Sequence, residues 1–248
     1  SVDWSPNGEQ IVTGGYEMII WDVRNYLSPS DMKLEGHTDW VETVSWNSQS
    51  DLLASGAGDK SIKIWNLQGR EIKTLKGHEK WIESIAWGPA DTILATGSGD
   101  NDIIIWDYET GTKIKTLESH TDNVESVKWS PDFSKLASAG DDGYVIIWDP
   151  WEGKELLKFK DKGKWVESLD WSPEGDEIVT GGGSHDIHVY DASTGNLKRT
   201  YNGHNKNVFK VEYSPDGTLI ASAGADKKIK IWLADSETEA MEFSGHDG

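Results

Sequence analysis

The 248-residue sequence contains no cysteine, which removes disulfides, thiolate metal sites and a cysteine nucleophile. A chain without disulfides can reside in any compartment, and the cytoplasm is the expectation. Phenylalanine is scarce at four and methionine at three, although tryptophan reaches fourteen. No apolar run approaches the ~20 residues that span a bilayer, and no secretory leader is visible. No stretch carries the apolar period of an amphipathic helix. Positive charge is also short, with 24 Lys and Arg against 43 Asp and Glu, a formal charge of −19. A field of that sign repels nucleic acid and anionic membrane, and it favours either plain solubility or a cationic partner. The lysine-rich stretches (Lys158, Lys160, Lys162 and Lys164; Lys227, Lys228 and Lys230) are short, so they make no basic stripe for nucleic acid. The chain opens on Ser1 rather than Met, as a processed, excised or engineered chain would.

What the sequence has in place of these is a repeat. Residues 77–107 set the pattern, with Gly77-His78, then Trp87, Asp100 and Trp106-Asp107. His is followed by Asp after 22 residues, and Asp by Trp after 6, at His37/Asp59/Trp65, His78/Asp100/Trp106, His120/Asp142/Trp148 and His204/Asp226/Trp232. The aromatic that ends each unit's first strand runs Trp4, Trp46, Trp87, Trp129, Trp171 and Tyr213; the one ending the third runs Trp21, Trp65, Trp106, Trp148, Tyr190 and Trp232. Six units therefore fill the chain and leave no room for a linker, so a single domain over 1–248 is expected. Its divisions fall near 1–35, 36–76, 77–118, 119–160, 161–202 and 203–248. Units this small cannot bury a core alone and must lean on their neighbours.

Within residues 77–118, Trp81 to Trp87 reads as a β-strand, Gly88 to Asp91 as a turn and Ile93 to Thr96 as a second strand. Ile103 to Trp106 is a third, apolar throughout and hence covered on both faces, and Lys113 to Leu117 is a fourth. Elsewhere the first turn is Ser-Pro-Asp/Glu-Gly, at 172–175 and 214–217, which has the residue chemistry of a type I turn. Four short antiparallel strands every ~42 residues describe a propeller blade better than a flat sandwich.

The Gly-His pair stands at 36–37, 77–78, 203–204 and 245–246, with Ser119-His120 close to it. Trp-Asp stands at 21–22, 106–107 and 148–149, softened to Trp65-Asn66, Tyr190-Asp191 and Trp232-Leu233. With these pairs the whole chain resembles a WD40-repeat β-propeller. The resemblance implies an all-β, six-bladed fold with four antiparallel strands per blade. It also implies a hydrogen-bonded network in each regular blade: His37–Ser55–Asp59–Trp65, His78–Thr96–Asp100–Trp106, His120–Ser138–Asp142–Trp148 and His204–Ser222–Asp226–Trp232. Ser, His and Asp together invite a catalytic-triad reading, but fourfold recurrence points to a structural role.

Two blades depart from the pattern. In the fifth, Lys162 and Ser184 stand where His and Asp belong and Tyr190 replaces Trp, so this blade is expected to be the least rigid. Its Ser184-His185-Asp186 run reads as a polar turn, since neighbours in sequence are not thereby neighbours in geometry. In the first blade, only 8 residues separate Thr13 from Trp21, against 10 between Ser55 and Trp65, and no Asp is left in the turn. Gly245-His246 sits where a leader of the first blade belongs, three residues short of a full connection. No closing strand shared by the two ends is therefore expected; blade six would pack on blade one, or the 1–6 edge would accept a strand or blade from a partner.

In related propellers, the positions three and five after the His line the channel mouth. Here they are Trp40 and Glu42, Trp81 and Glu83, Asn123 and Glu125, and Asn207 and Phe209; counting from Lys162 adds Trp165 and Glu167. Residues two apart on a strand share a face. Clustered carboxylates are relieved by a cation, and indole faces attract one. A protein or peptide partner rich in Arg and Lys is the functional expectation, for a monomeric, non-catalytic scaffold. The alternative is that Trp-x-Glu merely travels with the repeat, in an excised or engineered propeller with no ligand of its own. No nucleophile elbow, phosphate-cradling glycine loop or zinc-protease helix is present. No cofactor or metal site is therefore expected, although channel carboxylates holding Ca²⁺ or acting as acid and base remain the enzyme alternative.

Overall fold

A computed structural model of the chain describes residues 1–24 and 31–245. His246 of the last Gly-His pair lies outside them. The described chain is all-β, six blades of four antiparallel strands each, and it holds no α-helix; a single 3₁₀ turn covers Pro89–Asp91. Every sheet is built from four strands consecutive in sequence, so none is shared between the first blade and the last. The chain divides into two compact units, residues 1–119 and 120–248, with three blades in each.

In both units the first strand of each blade packs on the first strand of the blade before it. Side chains from two blades then fill the space between them. In the first unit, Val12, Met18 and Ile20 meet Val41, Val44 and Trp46, and Ile62, Ile64 and Leu75 meet Ile82, Ile85 and Ile104. In the second, Val145 and Ile147 meet Val166 and Leu169, and Val179, Ile187 and Val189 meet Val208, Val211 and Ile220. Each such side chain is worth roughly 1.5–3 kcal/mol when fully buried. The continuous apolar third strands, Asp102–Asp107 and Tyr144–Asp149, are buried through their middle four residues. With both faces covered, no face is left for alternation.

Polar groups tie adjacent first strands as well. The Asp3 carboxylate accepts from the Trp46 amide at 2.7 Å, and the Asp170 carboxylate from the Tyr213 amide at 3.0 Å. Ser126 and Ser168 hydroxyls accept from the Leu169 and Val211 amides at 3.2 and 3.3 Å. These links span 43 residues, one repeat, and fix the height of one blade against the next.

The turns follow the sequence reading in part. Gly175 and Gly217 close Ser-Pro-x-Gly turns through their amides, each 2.8 Å from the Ser carbonyl oxygen. Blade three departs from this, since Ala90 and Asp91 both take left-handed φ values of 58° and 53°. Asp91 is held there because its carboxylate reaches back to blade two, accepting from the Ser48 hydroxyl at 2.7 Å and amide at 3.1 Å.

Two register shifts recur that side-chain identity did not disclose. One lies between third and fourth strands, where Ile72, Ile114, Leu156, Lys198 and Ala240 are each left without a partner residue. The other lies between first and second strands and falls on the candidate site.

Candidate functional site

In four blades the His turn, the second strand, the second hairpin and the third strand converge on one buried chain of hydrogen bonds. Trp148 Nε1 donates to Ser138 Oγ at 2.8 Å, Ser138 Oγ lies 2.8 Å from His120 Nε2, and His120 Nδ1 lies 2.9 Å from an Asp142 oxygen. The order of roles follows from the inventory of donors: the indole can only donate and the carboxylate only accept, so Nδ1 carries the proton and Nε2 accepts from the hydroxyl. The other three repeat it. His37 lies 2.7 Å from Ser55 and 2.9 Å from Asp59; His78 lies 2.8 Å from Thr96 and 2.9 Å from Asp100; His204 lies 2.8 Å from Ser222 and 2.9 Å from Asp226. Trp65, Trp106 and Trp232 close the chains at 2.8, 2.8 and 2.9 Å. The hydroxyls are fully buried and already accept from an indole, which places them as structural partners and not as nucleophiles.

Burial pushes Asp59 and Asp100 up, but hydrogen bonds outweigh it and hold both carboxyls at about 2: the Ser61 hydroxyl, the Thr38 amide and His37 for the first, His78 and the Glu79 amide for the second. His37 is pushed down by its own burial, with Asp59 opposing.

Blade five fills the same space differently. Asp161, one residue before the place of the missing His, is buried and accepts from Thr180 Oγ1 at 2.7 Å and from the Tyr190 hydroxyl at 2.9 Å. The Gly163 amide donates to its other oxygen at 2.6 Å, and His188 Nδ1 stands 3.4 Å away. The blade expected to be least rigid therefore has a complete network of its own, and the sequence signal was the paired change of Trp to Tyr190 and of the preceding residue to Asp. In blade one only the Trp21–Thr13 bond remains, at 3.0 Å. Ser184 Oγ donates to the Asp186 carbonyl oxygen at 3.1 Å, so its neighbour His185 does not receive that proton and the run is a turn.

The proposed ligand positions sit at the same end of each blade as these turns. The residue three after the His offers its carbonyl oxygen to the second hairpin in every blade from two to six: Trp40 to the Gly58 amide, Trp81 to Gly99, Asn123 to Asp141, Trp165 to Gly183 and Asn207 to Ala225, all at 2.8–3.2 Å. The residue five after is a β-bulge each time. Glu42, Glu83, Glu125, Glu167 and Phe209 have no partner in the second strand, because pairing jumps from the residue before to the residue after. This corrects the period-two argument. Trp40, Trp81 and Trp165 precede their strands, which begin at Val41, Ile82 and Val166, and the bulge re-aims the following Glu.

The two positions nonetheless meet. Trp81 Nε1 donates to Glu83, and Trp165 hydrogen-bonds Glu167. Both rings lie on bare backbone, since a Cβ at Gly99 or Gly183 would stand 2.6 or 2.7 Å from the ring. Trp40 instead sets its ring against Tyr16, with centroids 4.2 Å apart and planes at 78°. Trp81 stays 37% and Phe209 52% exposed. Partial burial raises the Glu42 carboxyl, against the charge of the chain's amino terminus, and Asp39 adds to the rise; burial and Asp141 raise Glu167, against the Trp165 bond. Asp141 is itself raised by burial and by Asp122, and receives the Asn123 amide group at 3.1 Å. The sequence reading missed Asp141, Asp122 and Tyr16, which lie outside its two fixed offsets. The lysines named above are engaged where charge is available, with Lys228 2.7 Å from Glu242 and Lys230 2.5 Å from Glu239. No group of His, Asp and Glu among the described residues has metal-binding geometry.

Comparison with known proteins agrees with this arrangement. Residues 44–132 match the anaphase-promoting complex subunit 4 WD40 domain, and residues 153–191 and 195–232 match the WD domain, G-beta repeat. The chain is 35% identical over 71 residues to THO complex subunit 3 of Arabidopsis thaliana, covering 27% of this chain and 22% of that protein. It is 38% identical over 73 residues to cell division cycle 20.1, cofactor of APC complex, of the same plant, covering 25% and 16%. It is 35% identical over 63 residues to protein transport protein sec13 of Aspergillus oryzae, covering 23% and 21%. The matches thus span less than a quarter of each relative's length.

Proposed function

The chain belongs to the WD40-repeat family, whose members serve generally as protein-interaction scaffolds, and we infer that it is a non-catalytic module binding basic peptide segments of a protein partner. The observation that carries this reading is the recurrent bulge. In four blades it presents a Glu at the start of the first strand, and in two of them the carboxyl is held above its ordinary value by burial, with a neighbouring acid adding to the rise. A carboxyl in that state is relieved by a further cation, and an Arg or Lys side chain supplies one. The Trp faces beside it add an attraction of ~0.5–2 kcal/mol. Each three-blade unit offers its own set: Trp40, Glu42, Trp81 and Glu83 in the first; Asn123, Glu125, Trp165, Glu167, Asn207 and Phe209 in the second. Two of the relatives' names place them in assemblies, the THO complex and the APC complex; by extension this chain joins a multiprotein assembly through a basic segment of another member.

The test is calorimetric titration with an Arg/Lys-rich peptide of the unchanged protein and of the combined variant Glu42→Gln, Glu83→Gln, Glu125→Gln, Glu167→Gln. Loss of binding is the expected result; equal affinity in the two proteins would sink the reading. Acidification supplies a second check. Raised carboxyls protonate first as pH falls, so affinity declines at a higher pH than ordinary glutamates would give.

A further inference from the structure

The shortened second hairpin of blade one sets an aromatic against the Trp of blade two. Tyr16 stands near its tip, 91% exposed, with its ring edge-on to Trp40 of blade two. Trp40 is 38% exposed and lies beside Gly15. Beside this right-angled pair is a cleft of about 220 Å³, the size of one long side chain and too small for an element of structure. Glu17, Glu35 and Asp39 line it, and Lys33 is the lone lysine there, already 2.8 Å from Glu17. Asp39 also raises the Glu42 carboxyl. The corner thus combines open indole and phenol rings with carboxylates that have no cation to spare.

We propose that this corner is an arginine subsite, holding the guanidinium of a partner polypeptide against Tyr16 and Trp40. The inference rests on the reading of a basic partner given above and names where its anchoring residue goes. A guanidinium is planar, stacks on an aromatic face and still offers edge donors to carboxylates, whereas an ammonium is a compact, strongly hydrated point charge. The two perpendicular rings let a flat cation lie on one while the other limits its slide. Arginine is therefore preferred to lysine, and Tyr16 sets the preference.

The test uses the full chain with N-acetyl-arginine amide, N-acetyl-lysine amide and a basic heptapeptide as probes, followed through the Trp40 indole resonance and by calorimetry. Arginine amide is expected to shift that resonance and to bind about tenfold more tightly than the lysine probe. Tyr16→Ala should weaken arginine amide about tenfold, as read at the Trp40 resonance; Glu83→Gln with Glu167→Gln is the variant that tests the broader reading. Because Tyr16 is exposed, an unchanged melting temperature verifies the variant's fold. No arginine response, equal response to lysine, or indifference to Tyr16→Ala overturns the subsite. Should the heptapeptide then still bind and be lost in the Glu83/Glu167 variant, the broader reading survives without it. Should arginine amide bind in a Tyr16-dependent way while the heptapeptide does not bind, the subsite stands and the broader reading fails.

Discussion

In blade four an imidazole occupies the buried centre, with its carboxylate, Asp142, at the rim and Ser138 and Trp148 behind it. In blade five the carboxylate itself moves inside, where Asp161 takes protons from Thr180 and Tyr190 directly and His188 stands beside it. The two solutions share a second-strand hydroxyl and a third-strand ring that carries a donor. What the site requires is an acceptor reaching both, and a neutral His relayed to an Asp satisfies it as well as an Asp alone. The difference is in charge placement. Blade four keeps its anion where backbone amides of the turns also reach it, at 3.0 Å from both Thr121 and Tyr144. Blade five sets its anion directly against the two hydroxyls, with one turn amide, that of Gly163, and depends on each partner it has.

Removing that anion should therefore have the largest effect. Asp161→Ala leaves the Thr180 and Tyr190 hydroxyls and the Gly163 amide without their acceptor, and a loss of about 3–4 kcal/mol in chemical denaturation is expected. Acid gives the next effect. Asp59 and Asp100 are held at about 2 in the folded chain, below the ordinary 3.8, so they stabilise it fully above pH ~4 and lose that contribution as pH falls through ~2. Each is worth about 2 kcal/mol at neutral pH; Asp142 and Asp161 are lowered too. Melting temperature measured from pH 6 to pH 2 should fall steeply below pH 4, and the Asp161→Asn protein should show a shallower fall.

Ser138→Ala tests the relay of blade four. It strands His120 Nε2 and Trp148 Nε1 together, with an expected cost of about 2 kcal/mol by the same denaturation measurement. Tyr190→Phe in blade five removes one donor to Asp161 and the acceptor of the Lys162 amide, at about 1–1.5 kcal/mol. Near equality of these two losses would erase the difference drawn between the blades. The smallest effect concerns the residue after each rim Asp, which takes a left-handed φ whether it is Lys60, Asn101, Gly143 or Lys227. Of these four only blade four has a glycine there, the residue free of strain at such a φ, so Lys227→Gly should raise stability by about 0.5–1 kcal/mol in the same assay.

Spacing alone revealed the architecture because four copies repeat His, hydroxyl, Asp and Trp at the same offsets. It failed where the chemistry was kept but the position moved. Asp161 stands one residue before the place His takes in the regular blades, and nothing in a residue count marks a carboxylate as a substitute for an imidazole. The site was half legible for another reason. Trp81 and Glu83 were chosen as neighbours on a pleated strand and are neighbours across a bulge, a property of pairing between two strands and not of either one's residues. Tyr16 was invisible for a third reason, since its place depends on a hairpin two residues shorter than the rest.

The repeated slip between third and fourth strands has a meaning for chains in company. An outer strand offers a row of amides and carbonyls to any passing extended polypeptide, and an unbroken row is a template for fibres. In blades two to six the row is broken at Ile72, Ile114, Leu156, Lys198 and Ala240, so an incoming strand falls out of step after a few bonds. Blade one keeps its row unbroken, over only four residues from Asp31 to Leu34, two of them charged. Among the described strands, brevity and charged side chains guard the margin that geometry leaves open.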